Sequence, residues 1–312
     1  MEINLIEPIG YTETLTNLLR IATKARTLKP FSEIVLLGGL LNADSIKKEL
    51  KKLNISIVDI PYEGFYDYVK SLHEDKVVLT SPYGSEKRLL ALLRKKKIQY
   101  FDTTSPFIIK KQQYILKKPS WKKVIFVGNV NTIEESYLAY ATRHKYIFVD
   151  IKDFLNKEDY EFKNKLNKKS TSVIYQTELA DENLKTVLNK IKFFLPNVTI
   201  QHEISDENYS KKKVIDENLK AGDVLLIVSS VKKTDSYLLD YYHLNTKDVM
   251  YACITSVIEA MQLNINKNKK IYLVSDGSVS AEKVKEIYRY FYYKDIDPKS
   301  QDKENKVKIQ EI

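Results

Sequence analysis

The chain of 312 residues contains one cysteine, Cys253, with only 8 glycines, 8 prolines, 4 histidines and one tryptophan. A single thiol excludes an intramolecular disulfide framework and any metal site built from several cysteines of one chain. His73, His144, His202 and His243 are scattered, no two at metal-ligand spacing, so no metal centre is expected. Long apolar runs are also missing; none approaches the roughly 18–20 residues of a membrane span. Glu2 and Glu7 stand where a signal peptide would carry basic residues. These absences predict a cytoplasmic protein with no membrane partner. Walker A, GxGxxG and nucleophile-elbow motifs are absent too.

Hydrophobic residues make up 43% and charged residues 29%, a balance that supports a folded chain with a sizeable core. The net charge of +10 is spread along the sequence in lysine groups at 47–52, 95–97, 163–169, 211–213 and 267–270. No nucleic-acid-binding module accompanies it, so nucleic acid is not the expected partner. A small anionic or phosphorylated ligand, or a protein partner, fits the composition equally well.

Short β-branched runs alternate with helix-period segments. Strands are predicted over Ile3–Ile6, Glu33–Leu37, Ser56–Ile60, Val77–Thr80, Gln99–Phe101, Val124–Val127, Tyr146–Val149, Ser172–Tyr175, Val198–Gln201, Val224–Val228 and Ile271–Val274. Helices are predicted between most of them, including one over Lys247–Leu263 that would bury Cys253 as a small hydrophobe. This alternation predicts α/β architecture with parallel sheets. Residues 296–312 are polar enough to read as a tail.

Polar residues collect in the loops after these strands, where ligands of parallel α/β folds bind. The loops are Glu7–Thr12, Thr80–Gly84, Asp102–Pro106, Gly128–Glu134, Gln176–Glu178, Ser229–Ser236 and Ser275–Ser278. Taken singly, they hold ordinary turn and cap residues. Seven of them at seven strand ends predict a polar cleft, without naming a reaction.

In order and spacing these loops resemble the LytB family, the hydroxymethylbutenyl diphosphate reductases, over about residues 1–295. The family's Asn-Pro-Arg-Gly-Phe-Cys is similar to Glu7-Pro8-Ile9-Gly10-Tyr11-Thr12. Its Ser-Ala-His-Gly resembles Ser81-Pro82-Tyr83-Gly84, and its Asp-Ala-Thr-Cys-Pro resembles Asp102-Thr103-Thr104-Ser105-Pro106. Its Gly-His-x-Gly-His-Pro-Glu resembles Gly128 to Glu134, with Asn131 and Thr132 inside the motif. Thr-Gln-Thr-Thr-Leu is similar to Tyr175-Gln176-Thr177-Glu178-Leu179, and Cys-Tyr-Ala-Thr to Asn208-Tyr209-Ser210-Lys211. The Ser-Ser-Asn-Ser loop falls on Ser229–Ser236, and the closing Thr-Ala-Gly-Ala-Ser on Ser275–Val279.

The resemblance implies three small parallel-sheet α/β domains in a trefoil around a central cavity. On that pattern they span residues 14–105, 106–204, and 1–13 with 205–295. Each would supply one cysteine to an iron–sulfur cluster, but here those positions hold Thr12, Ser105 and Asn208. Iron in such a cluster needs thiolates, which hydroxyl and amide groups do not replace. The residues matching the family's diphosphate ligands are changed as well. Tyr83 stands for one histidine, Leu41 or Asn42 for another, and Thr132 for the histidine near the substrate hydroxyl. Lys233 and Asp235 replace the Ser-x-Asn clamp, and the last serine falls on Val279 or, one residue earlier, Ser278. Glu134 and Thr177 match the proton-relay pair, and Lys232 and Lys233 are point charges for an anionic head group.

The expectation is therefore a LytB-like protein with no cofactor: a non-redox ligand-binding or regulatory pseudoenzyme. Other readings stay open. They are a non-redox enzyme on a phosphorylated or isoprenoid-like substrate with Glu134 as acid or base, a reductase with an unusual cluster site, and an interaction subunit.

Overall fold

The computed structural model describes residues 2–38, 44–156, 166, 170–177, 181–230, 249–266 and 268–294. Leu41, Asn42, Lys232, Lys233, Asp235, His243 and the expected tail at 296–312 lie outside the described residues.

Twelve strands are present among the described residues: β1 (Glu2–Leu5), β2 (Ile34–Leu37), β3 (Ile55–Val58), β4 (Val77–Leu79), β5 (Gln99–Phe101), β6 (Lys123–Gly128), β7 (Tyr146–Asp150), β8 (Ser170–Tyr175), β9 (Thr199–Ile200), β10 (Val224–Val228), β11 (Met250–Ile254) and β12 (Lys270–Ser275). They form three four-stranded sheets in the orders β1-β12-β10-β11, β3-β2-β4-β5 and β7-β6-β8-β9. Every pairing is parallel. The parallel α/β architecture expected from the residue pattern, and the three sheets that the family resemblance implies, are therefore present.

Composition explains the layout. In a parallel sheet the crossover helices cover both faces, so central strands are apolar at every position rather than at alternate ones. Ile34-Val-Leu-Leu37 of β2 and Val224-Leu-Leu-Ile-Val228 of β10 are buried throughout. Each sheet has two central strands paired on both sides: β12 and β10, β2 and β4, and β6 and β8.

The chain falls into two compact units. One takes in residues 2–12, 44–46 and the described residues from 208 onward, with the sheet of β1, β12, β10 and β11. The other takes in the remaining described residues up to 207 and holds the other two sheets. No helix among the described residues is long and apolar enough to cross a membrane.

One predicted element is overturned. The segment expected as a single helix over Lys247–Leu263 is, where described, strand β11 followed by a short helix, Val257–Gln262. Met250-Tyr-Ala-Cys-Ile254 pairs residue by residue with β10, and Cys253 sits opposite Ile227, half-buried in an edge strand. The helix starts afresh at Ser256, whose hydroxyl accepts the Glu259 amide, while the Glu259 carboxylate accepts the Thr255 amide. This reciprocal cap separates two apolar runs that periodicity alone joins into one.

Candidate functional site

Glu134 opens the helix Ile133–Thr142 just beyond the end of β6. Thr132 caps that helix, its hydroxyl accepting the Glu135 amide at 3.2 Å. Asn131, next to it, is exposed and takes a left-handed turn at φ 60°. Thr177 follows β8 by two residues, so the parallel pairing of β6 with β8 carries Glu134 and Thr177 to the same sheet edge. The Glu134 carboxylate accepts the Thr177 amide at 3.0 Å.

Between them stands a residue the sequence analysis did not single out. Lys111 lies in the helix Pro106–Lys117, and its side chain is completely buried. Its ammonium donates to Glu134 Oε1 at 2.5 Å, Thr177 Oγ1 at 2.7 Å and the Tyr175 carbonyl at 3.0 Å. The three N–H groups of a lysine thus meet three acceptors. A signal for it existed: Phe107, Ile108, Lys111 and Ile115 share one buried face at helical spacing. Nearby, Gln176 reaches back over Gly128 to accept the Asn129 amide at 2.8 Å.

Ser105 is fully buried and caps the helix Pro106–Lys117 by accepting the Phe107 amide at 3.1 Å. Its hydroxyl also meets Thr14 Oγ1 at 2.8 Å. Thr14 is held in turn by the Glu207 carboxylate, through a short hydroxyl contact and a longer one to its backbone amide. Tyr83 is half-buried in the turn after β4, its amide donating to Ser81 Oγ at 3.1 Å. The following Gly84 has φ +108°, and a Cβ there would lie 2.3 Å from the Tyr137 ring, so a side chain is excluded on two grounds.

In the other unit, Thr12, Asn208 and Ser278 gather at the turn after β12. The Thr12 amide donates to the Gly277 carbonyl at 2.9 Å, and Asn208 Nδ2 donates to the Asp276 carbonyl at 3.1 Å. Gly277, at φ +89°, has no room for a Cβ, which would stand 2.4 Å from the Thr12 methyl. Asp276 Oδ1 accepts both the amide and the hydroxyl of Ser278, at 2.9 and 2.6 Å. Burial pushes the Asp276 carboxyl above its ordinary range, against hydrogen bonds from Ser229 and Ser278 and the charge of Lys211, which pull it down. Lys211 is itself buried and donates to the Ser275 carbonyl at 3.0 Å.

Three histidines lie among the described residues. His73 is exposed beside Asp75, His144 sits in a left-handed turn, and His202 meets the Tyr175 hydroxyl at 3.1 Å. No group of three metal-ligating side chains occurs among the described residues. Thr12, Ser105 and Asn208, the positions expected from the resemblance to match cluster ligands, do not fit an iron–sulfur cluster. Their side chains offer no thiolate; Ser105 is committed as a buried cap and Asn208 donates to a carbonyl. Cys253 stands within β11, not at a strand end.

The sequence model of the family described as LytB protein matches residues 3–292. Among individual relatives, the 4-hydroxy-3-methylbut-2-enyl diphosphate reductase of Campylobacter jejuni is 25% identical, covering 71% of this chain and 79% of its own length. That of Malacoplasma penetrans is 24% identical, with 76% and 79% covered. The Campylobacter fetus enzyme is 20% identical over 90% of this chain and 94% of its own. Among solved structures, the E-1-hydroxy-2-methyl-but-2-enyl-4-diphosphate reductase of Plasmodium falciparum superposes with a TM-score of 0.66 at 17% identity, covering 92% and 87% of the two chains. A second reductase structure, of the terminal enzyme of the non-mevalonate pathway, gives 0.58 at 15% identity, with 94% and 99% covered.

Proposed function

The chain belongs to the LytB family, and from that premise we propose that it is a cluster-free member that binds a ligand or partner without redox chemistry. The observation that carries this reading is the state of Ser105. Where the family pattern has a cysteine, a fully buried hydroxyl is spent on the Phe107 amide and on Thr14. Removing a hydroxyl reductively takes two electrons, and the hydroxyl and amide side chains at the three matching positions offer no thiolate to a cluster that would deliver them. The candidate ligand-binding residues are Thr12, Asn208 and Ser278 at strand ends of one unit and, taken separately, Tyr83, Asn131 and Thr132 at strand ends of the other. Lys232 and Lys233 would draw in an anionic head group.

The test is anaerobic purification followed by iron and sulfide reconstitution. The expected outcome is no stoichiometric iron, no visible charge-transfer band and no reduction of 4-hydroxy-3-methylbut-2-enyl diphosphate. A reconstituted protein with a cluster band and turnover of that substrate would instead establish a reductase with an unusual site. A thermal-shift screen of isoprenoid diphosphates and other phosphorylated metabolites then searches for the ligand, because stabilisation rises with ligand concentration over Kd.

A further inference from the structure

We infer that Lys111 has taken over Glu134 and Thr177 as the fixed end of a buried ion pair, so that the pair matching the family's proton relay braces the fold instead of passing protons. Neither carboxylate oxygen of Glu134 is idle: Oε1 accepts from Lys111 and Oε2 from the Thr177 amide. The Thr177 hydroxyl accepts from the same ammonium. Lys111 and Glu134 are both almost wholly removed from water. A proton donor has to reach its substrate and exchange with solvent between turnovers. Glu134 instead faces the Lys111 Nζ, which is held by three hydrogen bonds of its own.

The geometry ties three segments together. Lys111 comes from the helix Pro106–Lys117, Glu134 from the helix after β6, and Tyr175 with Thr177 from the end of β8. Lys111 is therefore a positioning residue: it fixes where Glu134 and Thr177 stand. This explains why both are retained although the cluster positions are not. The inference rests on the non-redox reading in assigning the retained pair no part in reduction.

A double-mutant cycle in thermal unfolding of the full chain tests it. Removing one partner of a buried pair strands the other charge, whereas removing both with apolar groups of similar volume is often neutral. Lys111→Met and Glu134→Leu are each expected to lower Tm by roughly 6–20 °C, and the double variant to regain most of that loss. A double variant as unstable as the two losses added together would overturn the inference, and so would a Glu134→Leu protein that melts with the parent. If a single variant fails to fold, the double variant decides alone: near-parental Tm supports the pair, and failure to fold overturns it. Iron loading of the parent is read separately, so a cluster found there would end the non-redox reading without altering the outcome of the cycle.

Discussion

A buried ionisable side chain has to be matched, and the cluster of Lys111, Glu134 and Thr177 illustrates opposite degrees of legibility. Glu134 and Thr177 were legible through the family resemblance, in which they match the proton-relay pair. Lys111 was not, because in Lys110-Lys111 a lysine pair reads as a solvated helix face, and only Lys110 is exposed. Separating the two requires the helix phase, in which Lys111 falls with Phe107 and Ile115 and Lys110 does not. Asp276 provides a residue-scale prediction. Burial raises its carboxyl above the ordinary 3.8, so the folded chain holds that proton more tightly than the unfolded chain. The associated stability is complete below the unfolded value and is lost as pH rises through the raised one. Asp276→Asn keeps an acceptor for Ser278 and does not titrate. Its stability relative to the parent should therefore increase as pH rises from about 4 toward 7, read as the difference in urea midpoints. A difference constant with pH would show that the carboxyl titrates as it does in the unfolded chain.

At the scale of elements, eleven strands were legible from β-branched runs, with ends shifted by one or two residues as hydrogen bonding rather than apolarity decides them. Strand β11 was not, since Met250–Ile254 runs into Val257–Gln262 and both are apolar. What separates them is the Ser256–Glu259 cap, a two-residue signal hidden within Lys247–Leu263, a stretch of helical period. Caps also bear on function here. Ser105 starts the helix that carries Lys111, so its hydroxyl fixes the register of the buried ion pair as well as a helix end. Ser105→Ala removes the acceptor for the Phe107 amide and the partner of Thr14 at a site closed to water. A loss of about 1–3 kcal/mol in urea unfolding is expected. A loss below about 0.5 kcal/mol would mean that the cap is replaced by another group.

For the whole molecule, repeated strand–helix alternation was enough to predict parallel sheets, and three of them are present. What composition did not supply was their number and membership: β1 and β12 lie far apart in sequence yet pair directly, Ile3 beside Ile271. The resemblance placed residues 1–13 in one domain with 205–295, but the choice of partner strand was not legible, because a four-residue strand carries no information about it. Net charge is the other whole-molecule property, and it invites a reading as a nucleic-acid binder. Charge spread along the sequence gives only counterion-release binding, which is blind to sequence and collapses with salt. A fluorescent random duplex of about 20 base pairs should show weak anisotropy changes at about 50 mM salt and none at about 200 mM. Competitors of different sequence should displace it equally. Binding that survives the higher salt, or that prefers one sequence, would require lysines organised into a continuous surface. It would then make nucleic acid, rather than a small ligand, the partner to pursue.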